Sequence, residues 1–142
     1  MTTTKFDLKN FYEYVHKQGM LRTVNHAKKW SDAVLRTLGE VLNLKTRRAL
    51  RNALPQELGQ VLSDFFWLLN FRDPELRSDQ FCQTVARRSG NSNSEFAHYP
   101  IAAVFSGLMH FIDSELEEKV IRSLSPELKI MWQQAQSLKE ST

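Results

Sequence analysis

The chain has 142 residues, 42% of them hydrophobic and 25% charged, with a net charge of +3 and only 5 Gly and 4 Pro. That composition excludes collagen-like, low-complexity and disordered chains, because the apolar surface is large enough to offset the entropy of ordering the backbone. Polar residues interrupt every stretch of twenty, which excludes a membrane span; the lack of an apolar leader in MTTTKFDLKN and the single cysteine, Cys82, make the cytoplasm the expected compartment.

Few Gly and Pro amid abundant Leu, Ala, Gln, Glu, Lys and Arg favour helix throughout. Thr4 is the expected cap of a first helix carrying Leu8, Phe11, Tyr12 and Val15, closed by Gly19 in the left-handed conformation. A second helix, from about Thr23 to Leu42, sets Trp30, Ala33, Val34, Leu38, Val41 and Leu42 on one stripe. Asn43 caps a short third helix to about Ala53, and Pro55 opens a fourth that reaches Leu69. Asp73, Pro74 and Glu75 signal a restart, giving a fifth helix with Phe81 and Val85 that stops near Gly90. SGNSNS, from Ser89 to Ser94, reads as a loop, and Pro100 is expected to break or kink whatever begins at Glu95. A sixth helix then runs from Ile101 through Ile112, a short seventh holds Leu116 and Val120, and Ser125 with Pro126 opens an eighth through Leu138.

Sliding the chain by seventy residues aligns its second half on its first without a gap. Phe11 falls on Phe81, Val15 on Val85, Ala33 and Val34 on Ala103 and Val104, Leu38 on Leu108, and Leu58 on Leu128. The expected fold is therefore all-α: about eight helices in two four-helix units, 1–70 and 71–142, related by a pseudo-twofold axis within one domain. The fourth helix departs from the eighth by being apolar on nearly all sides. Phe65, Phe66, Trp67, Leu69 and Phe71 are accordingly expected to form a spine between the units, with a partner-binding patch as the alternative.

The segments AVLRTLGEVL, NALPQEL, NFRDPELRSDQF and RSLSPELKIMW resemble the bacterial all-helical family known as domain of unknown function 2267. The resemblance is clearest from Trp30 to Trp132. It implies the helical fold and brings with it no established activity, substrate or ligand.

Catalysis needs a nucleophile, a base and a stabiliser that converge, or a metal with properly spaced ligands. His16, His26, His98 and His110 are scattered, with no HExxH pair and no cysteine at zinc spacing, and Cys82 reads as a small buried hydrophobe. Gly39, Gly59 and Gly107 stand singly inside helices, where they permit close crossing and do not form a phosphate loop. No enzyme activity, cofactor or metal is expected.

Charge is unevenly spread: residues 1–70 hold 11 Lys and Arg against 6 Asp and Glu (+5), and residues 71–142 hold 8 against 10 (−2). The repeat register sets Lys45, Arg47 and Arg48, with Arg51 nearby, opposite Glu115, Glu117 and Glu118. These seven residues are the candidate interaction surface, with Lys28 and Lys29 as basic neighbours. The expected function is a soluble, non-enzymatic protein-interaction or regulatory module acting through helical surfaces and the Ser89 to Ser94 loop. Its partner is a protein or a second copy; the less favoured alternative is nucleic acid contacted by the basic third helix, and an outside reading is a ligand pocket near Trp67 and Trp132.

Overall fold

A computed structural model of the chain describes residues 6–63, 73–91 and 93–142. Among them lie eight helices and no strand: α1 Leu8–Gln18, α2 Val24–Val41, α3 Leu44–Ala53, α4 Gln56–Ser63, α5 Ser78–Ser89, α6 His98–Leu108, α7 Ser114–Ser123 and α8 Pro126–Ser141. No helix of the described residues is long and apolar enough to cross a membrane.

Most boundaries follow local capping chemistry. Thr23, Asn43, Asp113 and Ser125 each accept an amide hydrogen bond from the first turn of the helix they precede. The start of α1 is a correction: Thr4 lies outside the described residues, and the cap is Asp7, which exchanges hydrogen bonds with Asn10 at 2.9 and 3.1 Å. Its end is another. Gly19 has a right-handed φ of −82°, and the left-handed residue is Met20, at φ 58°. Gly19 is there for space, because a Cβ on it would lie 2.5 Å from the Val15 carbonyl oxygen and 3.2 Å from the Pro100 Cα. The reversal passes to Met20, at a cost of about 1–2 kcal/mol for a residue with a side chain.

The fifth helix begins later than its sequence signals. Asp73, Pro74 and Glu75 form a turn, in which Asp73 Oδ1 accepts from the Glu75 amide at 3.3 Å and the Asp73 amide donates to the Glu40 carbonyl at 2.8 Å. The helix starts at Ser78 because α8 supplies what a local cap would. Glu127 accepts from the Ser78 amide at 3.1 Å and from its hydroxyl at 2.6 Å, and Ser125 Oγ donates to the Leu76 carbonyl at 2.8 Å. At the other end Gly90, φ 86°, closes α5, with the Asn91 amide returning to the Ala86 carbonyl at 2.8 Å.

Pro100 does not break α6. It sits in the first turn, where no intrahelical partner for its nitrogen is needed, so the helix forms around it from His98. The helix ends at Leu108, short of Ile112, as the His110 and Phe111 amides tighten onto the Gly107 and Leu108 carbonyls. Pro55 likewise stands just ahead of α4, and the expected continuation of α4 to Leu69 lies outside the described residues.

α2 and α6 pack together at the centre. α2 also meets α1, α4 and α5, while α6 meets α1 and α8. Phe11, Leu35, Leu38, Phe81, Phe105 and Trp132 are fully buried in this core, with the Phe105 and Trp132 rings 5.0 Å apart. α3 and α7 lie side by side at the margin, joined by Asn43 Nδ2 donating to Ser123 Oγ at 3.0 Å.

Candidate interaction surfaces

α3 and α7, the basic and the acidic helix, are neighbours in one molecule, and their charged residues have different fates. Lys45, Arg48 and Arg51 are exposed. Arg47 is only 7% exposed and donates from Nη1 to the Gly39 carbonyl at 3.3 Å, so it ties α3 to α2. Burial first, and the Arg48 charge second, pull its titration below the usual arginine range. On α7, Glu118 pairs with Arg122 at 2.7 Å and Glu115 with Lys119 at 3.9 Å, exposed contacts a turn apart that contribute a few tenths of a kcal/mol. Glu117 faces inward and accepts from Trp132 Nε1 at 2.9 Å and Gln136 Nε2 at 2.8 Å. Two members of the seven-residue set thus act within the fold, and five reach solvent. The spine residues Phe65, Phe66, Trp67, Leu69 and Phe71 lie outside the described residues, as does the Trp67 side of the ligand pocket considered beside Trp132.

The one thiol stands beside an imidazole. Cys82 Sγ lies 3.6 Å from His98 Nε2, an arrangement that in an open, electropositive setting makes a nucleophile. Here Cys82 is 2% exposed, and burial, aided by the Asp79 charge, pushes its titration up to about 11, so the thiol keeps its proton near neutral pH. His26 meets Thr23 Oγ1 at 2.9 Å, and His110 stacks on Phe6 with ring centroids 4.1 Å apart. Among the described residues no group of three or more His, Cys, Asp or Glu side chains converges as metal ligands would.

A different surface emerges where α2 and α5 cross. His26, Lys29, Ala33 and Arg36 recur at spacings of three, four and three, which sets them on one face of α2, and Arg22 stands just ahead of its cap. Across from them stand Arg87 and Arg88, in the last turn of α5 where cations complement the helix dipole. Arg88 is anchored by Glu40 of α2 and donates to Thr37 Oγ1 at 3.1 Å. Lys29 and Arg87 are exposed and have no ion-pair partner among the described residues.

Three depressions meet here. Met20, Leu21, Arg22, His26, Trp30 and Phe96 line one of about 370 Å³; Lys29, Asp32, Arg36, Arg87 and Arg88 line the second; and Gln83, Arg87 and Ser94 line the third. The third shares Arg87 and Gly90 with the second and Asn91 with the first, so it links the other two into a groove around the end of α5. Part of the Ser89 to Ser94 loop therefore lines the groove. The α2 stripe was present in the sequence as a four-three spacing. Its pairing with Arg87 and Arg88 was not, since those residues lie about fifty positions away.

With this geometry in place, comparison with known proteins returns one family. The family described as Uncharacterized conserved protein (DUF2267) matches residues 8–131. No curated protein matches the chain.

Proposed function

The chain belongs to the DUF2267 family of uncharacterized conserved proteins, and from that premise we propose that it is a non-enzymatic interaction module whose binding face is the groove between α2 and α5. The supporting observation is the groove itself, a concave surface where exposed cations of two helices, Lys29 and Arg87, face solvent beside a mouth to which Met20, Leu21 and Phe96 add apolar side chains. The partner is a protein. Nucleic acid contacted by α3 has less support, because Arg47 spends its guanidinium on the Gly39 carbonyl and leaves a sparser basic face. The reducing cytoplasm suits the buried Cys82 thiol.

The same proposal takes the chain as two four-helix units, 1–70 and 71–142, related by a pseudo-twofold axis. Both ends of α3 and α7 stand seventy residues apart, Leu44 with Ser114 and Ala53 with Ser123. Part of the packing supports the relation as well. Exchanging the units turns α1 on α6 into α5 on α2 and α2 on α4 into α6 on α8 and leaves α2 on α6 and α3 on α7 in place, whereas α1 on α2 and α3 on α4 have no counterpart of similar extent among the described residues. On this view the groove lies at a junction between units.

Site-specific photo-crosslinking in cells tests the reading. A photoreactive residue at Gln83 or Ser94 is expected to give discrete adducts, and one at Lys45 or Glu118 is expected to give none. Adducts confined to α3 and α7 would move the binding face to those helices, and adducts from none of the four positions would remove the interaction reading.

A further inference from the structure

Resting on that interaction reading, we infer that the groove takes one kind of occupant: an extended acidic peptide segment of a partner protein, with an apolar residue at one end. Charge points first to the acid. The two depressions along α2 carry Arg22, Lys29, Arg36 and Arg87 against Asp32, with Arg88 already paired to Glu40, whereas the whole chain is nearly balanced at 19 basic to 16 acidic residues. A peptide bearing carboxylates would find the exposed Lys29 and Arg87 without first displacing an ion pair of the described residues.

The mouth supplies the second half of the inference. Met20 is 64% exposed and held at φ 58°, a conformation that a residue with a side chain adopts at a cost. It lines a depression together with Leu21, Trp30 and Phe96, and methionine adapts to apolar anchors of varied shape. The same lining argues against single-stranded nucleic acid. Trp30 is 3% exposed and Phe96 packs edge-on to it at 5.9 Å, so Trp30 offers no open face on which a base could stack. Reach sets the length of the segment. From Val24, where α2 begins, Arg36 lies twelve residues on, about 18 Å along the helix at its rise. An extended chain covers that distance in about six residues.

Fluorescence anisotropy with the intact chain tests this. The probe is a labelled octapeptide of leucine and phenylalanine followed by six glutamates. Controls are the peptide with lysines for glutamates, the six glutamates alone, and a single-stranded DNA octamer. The inference expects the octapeptide to bind in a salt-sensitive way, more tightly than the glutamates alone or the DNA. Lys29→Glu with Arg87→Glu should weaken it by about tenfold or more and admit the lysine peptide instead. Met20→Asn, a residue that tolerates the left-handed conformation, should erase the advantage of the apolar end and leave binding of the six glutamates unchanged.

Tighter binding of the DNA, equal binding by the charge-reversed variant, or no binding of the octapeptide would each overturn the inference. Lys29→Gln with Arg87→Gln, which adds no repulsion, guards against a folding defect, and thermal unfolding of every variant checks it. Crosslinks at Gln83 or Ser94 that persist while the octapeptide fails would leave the module reading standing and remove only the acidic occupant.

Discussion

Single residues show how strictly this helical protein rations space. Gly107 in α6 lies against α1, and a Cβ there would fall 2.8 Å from the ring of Phe11, which is fully buried and has nowhere to move. Gly107→Ala would ordinarily favour a helix by about 1 kcal/mol. Here overpacking outweighs that gain, and urea unfolding is expected to show a net loss of about 1–2 kcal/mol. Gly19 and Met20 make the same point in reverse. Their neighbours in space assign the glycine to a close approach and the left-handed turn to methionine, although composition alone favours the opposite assignment.

Among the elements, α7 joins two roles that its sequence presents as one. Glu115, Glu117 and Glu118 read alike as a solvated acidic turn, yet only Glu117 turns inward to Trp132 and Gln136. Glu117→Ala would leave the indole N–H of a fully buried tryptophan without its acceptor, at a cost of about 1–3 kcal/mol, whereas Glu118→Ala should shift stability by under about 0.5 kcal/mol. Denaturant midpoints of the two variants, with tryptophan fluorescence as the probe, check the contrast. α5 shows a second kind of dependence, since its first turn is completed by Glu127 of α8. Those bonds from Ser78 hold the Glu127 carboxyl below its usual range, so their contribution is present at neutral pH and lost as acid protonates it.

At the scale of the whole molecule, two weak acids report on the core. Tyr12 of α1 and Cys82 of α5 stand seventy residues apart. Burial pushes the tyrosine up from 10.0 to about 12, helped by the Asp32 and Glu57 charges, and the thiol up from 9.0 to about 11. Because both titrations are raised by folding, the native state binds these protons more tightly than the unfolded chain. The stability they contribute is complete below about pH 9 and declines between about pH 9 and 12, by an order of 2 kcal/mol for each group. Chemical unfolding at stepped pH should show this alkaline decline, and Cys82→Ala should remove its lower part. A flat stability between pH 8 and 11 would contradict the burial of Cys82.

The sequence by itself determined the helices, several of their caps and the family, because capping and the 3.6-residue period act over a few neighbouring residues. Asn43 to Ala53, the short helix holding Leu116 and Val120 and the Ser125 cap were legible for that reason. The same local reading grouped Arg47 with Lys45 and Arg48, and Glu117 with Glu115 and Glu118, since neighbours on a short helix look equivalent until one face is covered. Only the tertiary structure decided which of them turned inward, where α5 begins, and that Lys29 comes to face Arg87 across a groove. Each of these depends on side chains from distant parts of the chain meeting at a few ångströms, and no local periodicity encodes that meeting.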